Sequence, residues 1–298
     1  MTKFIMMAGL PGSGKSHYIK TLKNMVIHSS DSIRKELYGD ENIQGKSQEV
    51  FGILHKRIKR DLKNGLNVVY DACNINYKRR KAFLEELNKI ECYKECCLIA
   101  TPYEQCIERN KLRDRQVPEH VINKMYKNFF IPQKYEGWDD INIEWNCKKN
   151  DYSLAELFNE LYVIKQDNPH HTLTIGNHCL KARDFMCGLT DDYKLIVAAI
   201  LHDIGKLETK EFKNYKGEAT EHAHFYQHHL VSAYNSLFYL YKLCDDDEDI
   251  LAICNYVQWH MQPFFIETEK AKTKFIKLVG EEFYNNLMKL HSADKMAH

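Results

Sequence analysis

Net charge is nearly absent from this 298-residue sequence: 42 Lys and Arg stand against 41 Asp and Glu, leaving +1 with His neutral. No global field therefore draws in a polyanion, and any nucleic-acid contact must come from local basic patches. Long apolar runs are lacking as well. None approaches the roughly 18 residues needed to span a bilayer, and no secretory leader precedes the first strand pattern. The expected setting is the cytoplasm, with no membrane partner. The ten cysteines are scattered, and Cys92, Cys96 and Cys97 lack the second pair that a zinc site requires, so buried free thiols on or near a strand are expected. There is no Ser–His–Asp or reactive-cysteine arrangement, no internal repeat and no low-complexity segment.

What is present divides the chain in two. Its length allows two domains of ordinary size, and the 44% hydrophobic share is that of a globular protein. Strands are expected at 3–8, 25–28, 66–71, 92–100 and 141–145, with helices between them, among them one after Gly14 to about 23 and one over 78–89. Strands separated by helices of this length indicate an α/β domain: a parallel sheet with helices on both faces. After about 149 only helical periodicity is visible, at 154–163, 179–186, 193–201, 229–243, 248–259 and 283–292. The expected domains are an α/β domain over 1–149, a connecting helix and break over 150–167, and an all-α domain over 168–298. The acidic run Asp245–Asp249 is expected as a solvated loop entering a helix N-terminus, where negative charge is favoured.

Gly9-Leu10-Pro11-Gly12-Ser13-Gly14-Lys15-Ser16 lies between the first strand and the first helix, the setting of a phosphate loop. Gly12, Ser13 and Gly14 let the backbone wrap the phosphates, Lys15 reaches the β- and γ-phosphates of ATP, and Ser16 ligates Mg²⁺. After the second strand comes Ser29-Ser30-Asp31-Ser32-Ile33-Arg34. Asp31 can take a proton from an attacking hydroxyl there, and Arg34 can grip a phosphate bidentately; Asp31 reads equally well as a helix N-cap. Asp71 ends the third strand and suits Mg²⁺ or substrate duty, with Asn74 and Arg80 shortly after it. Arg109 through Pro118 is a basic segment before a helix. Lys56–Arg60 reads as a solvated helix face.

Together these residues resemble the kinase domain of phage-type polynucleotide 5′-hydroxyl kinases, over roughly 3–132. The resemblance implies that Asp31 is the general base, that Arg34 contacts the acceptor's 3′-side phosphate, and that Arg113 is the lid arginine over ATP, with Arg109 a second candidate. Asp71, Asn74 and Arg80 fall on its substrate side. Cys73 stands where many relatives have threonine.

The second half carries His178, His202-Asp203-Ile204-Gly205-Lys206, His228, His260 and Asp294. Adjacent His and Asp at a helix end can reach one ion, and such a donor set suits Mn²⁺, Fe²⁺, Co²⁺, Ni²⁺ or Zn²⁺. Lys206 is expected to hold a phosphate nearby. His171 rivals His178, which is preferred because Leu180 and Ala182 continue an apolar stripe after it. Asp294 stands four residues from the last position, His298, on an expected fraying end. This pattern resembles the HD superfamily of metal-dependent phosphohydrolases over roughly 168–298. That resemblance implies one ion held by His178, His202, Asp203 and Asp294, or two ions if His228 and His260 join with Asp203 as the bridge.

The expected function is end healing of nucleic acid, RNA first among substrates. The first domain would phosphorylate a 5′-hydroxyl, and the second would remove a 2′,3′-cyclic, 2′- or 3′-phosphate. The products suit a ligase, so an RNA ligase is an expected partner, and an oligomer is compatible. The alternatives are a nucleoside or sugar kinase joined to a nucleotide phosphohydrolase, and a regulatory ATP-binding module with a vestigial metal domain.

Overall fold

The computed structural model describes residues 1–43, 45–169 and 172–298. By internal packing these form two units: Met1–Met125 with Pro132–Cys147, and Tyr126–Ile131 with Lys148–His298.

In the first unit, β1 (Thr2–Ala8), β2 (Val26–Ser29), β3 (Val68–Asp71), β4 (Cys92–Ala100) and β5 (Asp140–Trp145) form one sheet in the order β2-β3-β1-β4-β5. Every pairing is parallel, with Phe4 opposite both Val68 and Lys94. The central strand is buried from Phe4 onward because helices cover both faces, which is why it reads as a continuous apolar run. Between the strands lie α1 (Lys15–Ile19), α2 (Ser30–Tyr38), α3 (Ser47–Lys63), α4 (Tyr77–Leu87) and α5 (Tyr103–Lys111), with α6 (Glu119–Tyr126) before β5. Under α1, the residues Ile5, Met7, Ile19, Val69, Cys97 and Ile99 make one buried cluster. Cys97 acts there as a small apolar side chain, and burial pushes its thiol up to about 12. The crossovers to either side of β1 leave a crevice at the carboxyl ends of the strands, where ligands bind in open parallel sheets.

The second unit holds α7 (Leu154–Leu161), α8 (Ile175–Cys187), α9 (Tyr193–Leu201), the single turn α10 (Lys206–Thr209), α11 (His228–Leu243), α12 (Asp247–Trp259), α13 (Glu269–Val279) and α14 (Glu281–Met296). α9 packs against α8 and α12, α11 against α12, and α14 against α8. Asp246 caps α12 by accepting from the Glu248 N–H, so the acidic run does enter a helix N-terminus.

One expectation needs correction. The helical half also contains an antiparallel hairpin of β6 (Glu211–Lys213) and β7 (Ala219–His224). Its turn is set by Asn214, whose side chain accepts from the Lys216 and Glu218 N–H groups, and by Gly217 at φ 83°. Its strands are polar and largely exposed, so they carry no alternating apolar pattern. Among the described residues, no helix is long and apolar enough to cross a membrane.

Candidate functional site

Two separate clusters of side chains can do chemistry, one in each unit.

In the first, the loop after β1 is built around left-handed backbone. Gly12 sits at φ 82°, where a Cβ would stand 2.3 Å from the Cys106 carbonyl oxygen, and Gly14 at φ 101°. The Ser13 carbonyl between them accepts from Thr101 Oγ1 at 2.7 Å and Asn146 Nδ2 at 3.0 Å, which pins the loop to the ends of β4 and β5. Lys15 Nζ donates to the carbonyls of Gly9 at 3.0 Å and Leu10 at 2.9 Å, with Cys73 Sγ 4.0 Å away. Ser16 is exposed at the start of α1.

Asp31 is not the cap of α2. Ser29 takes that position and accepts from the Asp31 N–H, which leaves the Asp31 carboxylate to point elsewhere. One of its oxygens lies 2.9 Å from Arg34 Nη1 and the other 2.7 Å from Arg115 Nη1. Arg115 also donates to the Glu41 carbonyl and to Asn42 Oδ1. Asp71, at the end of β3, is held above the usual carboxylate range by burial; the Lys15 charge pulls the other way and Asp31 adds to the rise. Lys15, Asp31, Arg34, Asp71, Arg109 and Arg113 line one cavity of about 1580 Å³. That exceeds the ~300–1,000 Å³ of a pocket for one small ligand.

In the second unit, His178 comes from α8, His202 and Asp203 follow α9, His228 opens α11, His260 ends α12 and Asp294 lies in α14. None of the six is more than 7% exposed. Asp294 is therefore held inside the last helix, not on a fraying end. Donor atoms of His178, His202, Asp203 and Asp294 all lie within 4.8 Å of one another, as do those of Asp203, His228 and His260. Asp203 belongs to both groups. Its Oδ2 is 3.2 Å from His178 Nε2 and 3.4 Å from His202 Nε2, while its Oδ1 is 3.2 Å from His228 Nε2 and 3.6 Å from His260 Nε2.

Three of the histidines are oriented by the same device. The Nδ1 of His202 donates to the Ala199 carbonyl at 2.9 Å, that of His228 to Phe225 at 2.8 Å, and that of His260 to Val257 at 2.7 Å. Each Nδ1 must carry the hydrogen, so each Nε2 presents a lone pair inward in the neutral ring. His228 and His260 bring two such atoms to 3.1 Å, an arrangement that a cation between them resolves. Ligands on a cation at about 2.1 Å stand about 3.0–3.4 Å apart in octahedral or tetrahedral geometry; the distances of Asp203 to His178, His202 and His228 fall in that range, and His260 at 3.6 Å stands just beyond it. The chemistry and spacing of these residues thus fit divalent metal. Against the effect of burial, Asp203 and Asp294 hold His178 and His202 above the ordinary imidazole range, whereas burial pushes His260 down to about 4. Burial opposes ionisation of Asp203, but Lys206 and the histidines hold its carboxyl well below the usual range.

Residues 4–132 match the family model of an AAA domain, and residues 175–297 that of an HD domain. The chain joins a P-loop kinase domain to an HD domain. It is similar to L-seryl-tRNA(Sec) kinase of Methanococcus maripaludis, at 27% identity over 179 residues covering 55% of this chain and 66% of that protein. A chain of the Pnkp1/Rnl/Hen1 RNA repair complex aligns with TM-score 0.36 and 23% identity over 42% of each chain. A gluconokinase from Sinorhizobium meliloti 1021 aligns with TM-score 0.35 and 17% identity, over 52% of this chain and 86% of that one. The chain therefore spans less than two thirds of the curated relative and less than half of the repair-complex chain.

The remaining expected residues divide plainly. In the kinase domain, Arg109 reaches the phosphate loop near Gly14 and contacts Gln105, and Arg113 lines the cavity. Asn74, at φ 45°, turns its amide to the Met7 carbonyl at 2.8 Å and so ties the end of β3 to β1. Arg80 touches the cavity wall, yet its guanidinium is 1% exposed and makes a bidentate pair with Glu136 at 2.6 and 2.7 Å. Expected on the substrate, these two groups are instead held by backbone and by a buried carboxylate. In the HD domain, Lys206 is buried and donates to Asp203 Oδ2 at 2.6 Å and Gln166 Oε1 at 2.7 Å, so it braces Asp203 where a phosphate contact was expected. His171 lies outside the described residues. Arg115 was missed as a partner of Asp31, although it stands in the basic segment already noted.

Proposed function

We propose that the chain heals nucleic-acid ends, with RNA as the preferred substrate. The kinase domain moves the γ-phosphate of ATP to a 5′-hydroxyl. The HD domain removes a 2′,3′-cyclic, 2′- or 3′-phosphate. The observation that carries this reading is the single cavity running from Lys15 past Asp71 to Asp31 and Arg34, larger than ATP alone requires and basic where a second phosphate would lie. The tRNA in the name of the archaeal relative supports an acceptor hydroxyl borne on RNA.

In the kinase domain, Gly12–Ser16 backbone N–H groups and Lys15 hold the β- and γ-phosphates, and Ser16 would share Mg²⁺ with them. Asp31 accepts the proton of the 5′-hydroxyl as its oxygen bonds to the γ-phosphorus and the bond to ADP breaks. Arg34 and Arg115 orient the carboxylate, and Arg34 also faces the acceptor's next phosphate. Arg109 and Arg113 meet the charge that builds on the transferred group. In the HD domain, His178, His202, Asp203 and Asp294 would hold one divalent cation, and Asp203, His228 and His260 a second. Such cations supply Lewis acidity and an activated water for phosphoester hydrolysis. Lys206 keeps Asp203 aimed between the two groups.

Acceptor length tests the kinase half: transfer of labelled phosphate is compared on a 5′-hydroxyl oligoribonucleotide, a free nucleoside and a sugar. The oligonucleotide is expected to be preferred by at least tenfold in kcat/KM. A nucleoside or sugar used equally well would replace this reading with small-molecule phosphorylation.

A further inference from the structure

We propose that the face of α3 carrying Phe51, Gly52 and His55 is a nucleobase-stacking subsite for the 5′-terminal nucleotide of the acceptor, an inference that rests on the nucleic-acid reading of the kinase domain. Gln48, Phe51, Gly52 and His55 recur at i, i+3, i+4 and i+7, so they share one side of the helix, and all four line the cavity. The neighbouring side, with Val50, Leu54 and Ile58, is buried and anchors α3.

The subsite begins one side chain from the proposed base. Arg34 pairs with Asp31 at 2.9 Å, and its guanidinium carbon lies 5.9 Å from the Phe51 ring centroid. Arg34 is 5% exposed, and its Nε has no hydrogen-bond partner among the described residues. A buried donor left unpaired at a cavity wall is costly unless a ligand meets it. A phosphate on the 3′ side of the terminal nucleoside would, and its base would then reach α3.

The aromatic wall there is backed by buried rings, with the Phe51 and His55 rings 6.5 Å apart and tilted 56° to one another. The His55 ring lies 4.0 Å from that of Phe83 and 5.7 Å from that of Tyr70, both themselves buried. Burial also holds His55 below the ordinary imidazole range, against the pull of Glu86, so it presents a neutral ring. Between Phe51 and His55 the helix has no side chain: a Cβ on Gly52 would meet nothing within 4 Å. Glycine inside a helix is unfavourable relative to alanine, and here the missing side chain leaves open space beside the two rings. A planar base can stack on the face of one such ring without regard to its hydrogen-bonding edge, which suits an enzyme acting on ends of any sequence.

The test uses the full chain with ATP and two 5′-hydroxyl oligonucleotides, identical except that one has an abasic 5′-terminal residue. The wild type is expected to favour the based acceptor by about 5- to 100-fold in kcat/KM, the range of one stacked base. Phe51→Ala removes one ring. Gly52→Leu fills the open space beside the rings, at a position with room for the side chain. Each variant is expected to bring the ratio of based to abasic acceptor towards one, with the KM for ATP held. A ratio that stays high in both variants overturns the subsite, as does a rise in the ATP KM alone, which would make the adenine of ATP the occupant. Transfer to neither oligonucleotide by the wild type would overturn the nucleic-acid reading itself.

Discussion

Replacing Asp203 with Asn perturbs both donor groups of the HD domain and a buried ion pair at once. Lys206 Nζ lies 2.6 Å from Asp203 Oδ2, with side-chain exposures of only 6% and 3%. Removing one partner of such a pair leaves the other charge uncompensated, at about 3–5 kcal/mol. At about 2–4 °C per kcal/mol for a unit of this size, the transition of the HD domain in metal-free Asp203→Asn should fall by roughly 6–20 °C. The double variant Asp203→Asn/Lys206→Met removes both charges and should recover most of that loss. Scanning calorimetry of the full chain in chelator gives the number, the HD transition being the one that added Mn²⁺ raises in the wild type. Equilibrium dialysis gives the second readout. The wild type should take up two Mn²⁺, His260→Ala one, and Asp203→Asn should bind at least 10- to 100-fold more weakly at both positions. An Asp203→Asn chain melting within 2 °C of wild type in chelator, or loading metal normally, would refute this reasoning.

Lys15→Ala should reduce phosphate transfer at least 10²-fold with little change in melting temperature, since Lys15 bonds the loop carbonyls of Gly9 and Leu10 and makes one long contact to the Cys73 thiol; calorimetry beside the transfer assay checks both. Arg80→Leu should destabilise the kinase domain by about 3–5 kcal/mol by leaving Glu136 buried and unpaired, read by urea titration; unchanged stability with lost transfer would instead make Arg80 a substrate contact. Metal uptake should be linked to pH through His178 and His202. Their raised pKa values mean they hold protons that a cation must displace, so affinity rises with pH and is lost as pH falls; titration calorimetry in two buffers should show net proton release. His260, already neutral, should add nothing to that release. Arg115→Ala should slow transfer about tenfold, read in the same transfer assay, since it frees one oxygen of Asp31 from its partner.

Much of this was legible before any coordinates. The sheet strands stood out because a parallel sheet buried on both faces needs apolar runs such as Phe4–Ala8, and the phosphate loop because its glycines and Lys15 have few other uses together. The metal donors were legible from residue type and order, and their two groups sharing Asp203 from the resemblance to the HD superfamily; the convergence of α8, α9, α11, α12 and α14 on Asp203 is what the residues alone did not give. What stayed hidden depends on contacts between distant residues. Arg80 looks like any basic residue until Glu136 is found beside it, 56 positions away. Arg115 looked like one more lid charge until it met Asp31 across 84 positions. The capping role passed from Asp31 to Ser29 by local geometry that both residue types allow. The β6–β7 hairpin escaped because its strands are polar on both faces and rest on Asn214 and Gly217. Helix α3 read as a solvated charged stretch because Lys56–Arg60 dominates it, while Phe51 and His55 lie just before that run.

The most direct test of the central claim is to give the enzyme labelled ATP, Mg²⁺ and Mn²⁺ with a short RNA bearing a 5′-hydroxyl and a 2′,3′-cyclic phosphate, and to read both ends of the same strand. The account predicts a 5′-phosphate and a free 3′ end on one molecule, with Lys15→Ala losing only the first change and Asp203→Ala only the second. No change at either end, or a single variant abolishing both, would contradict it.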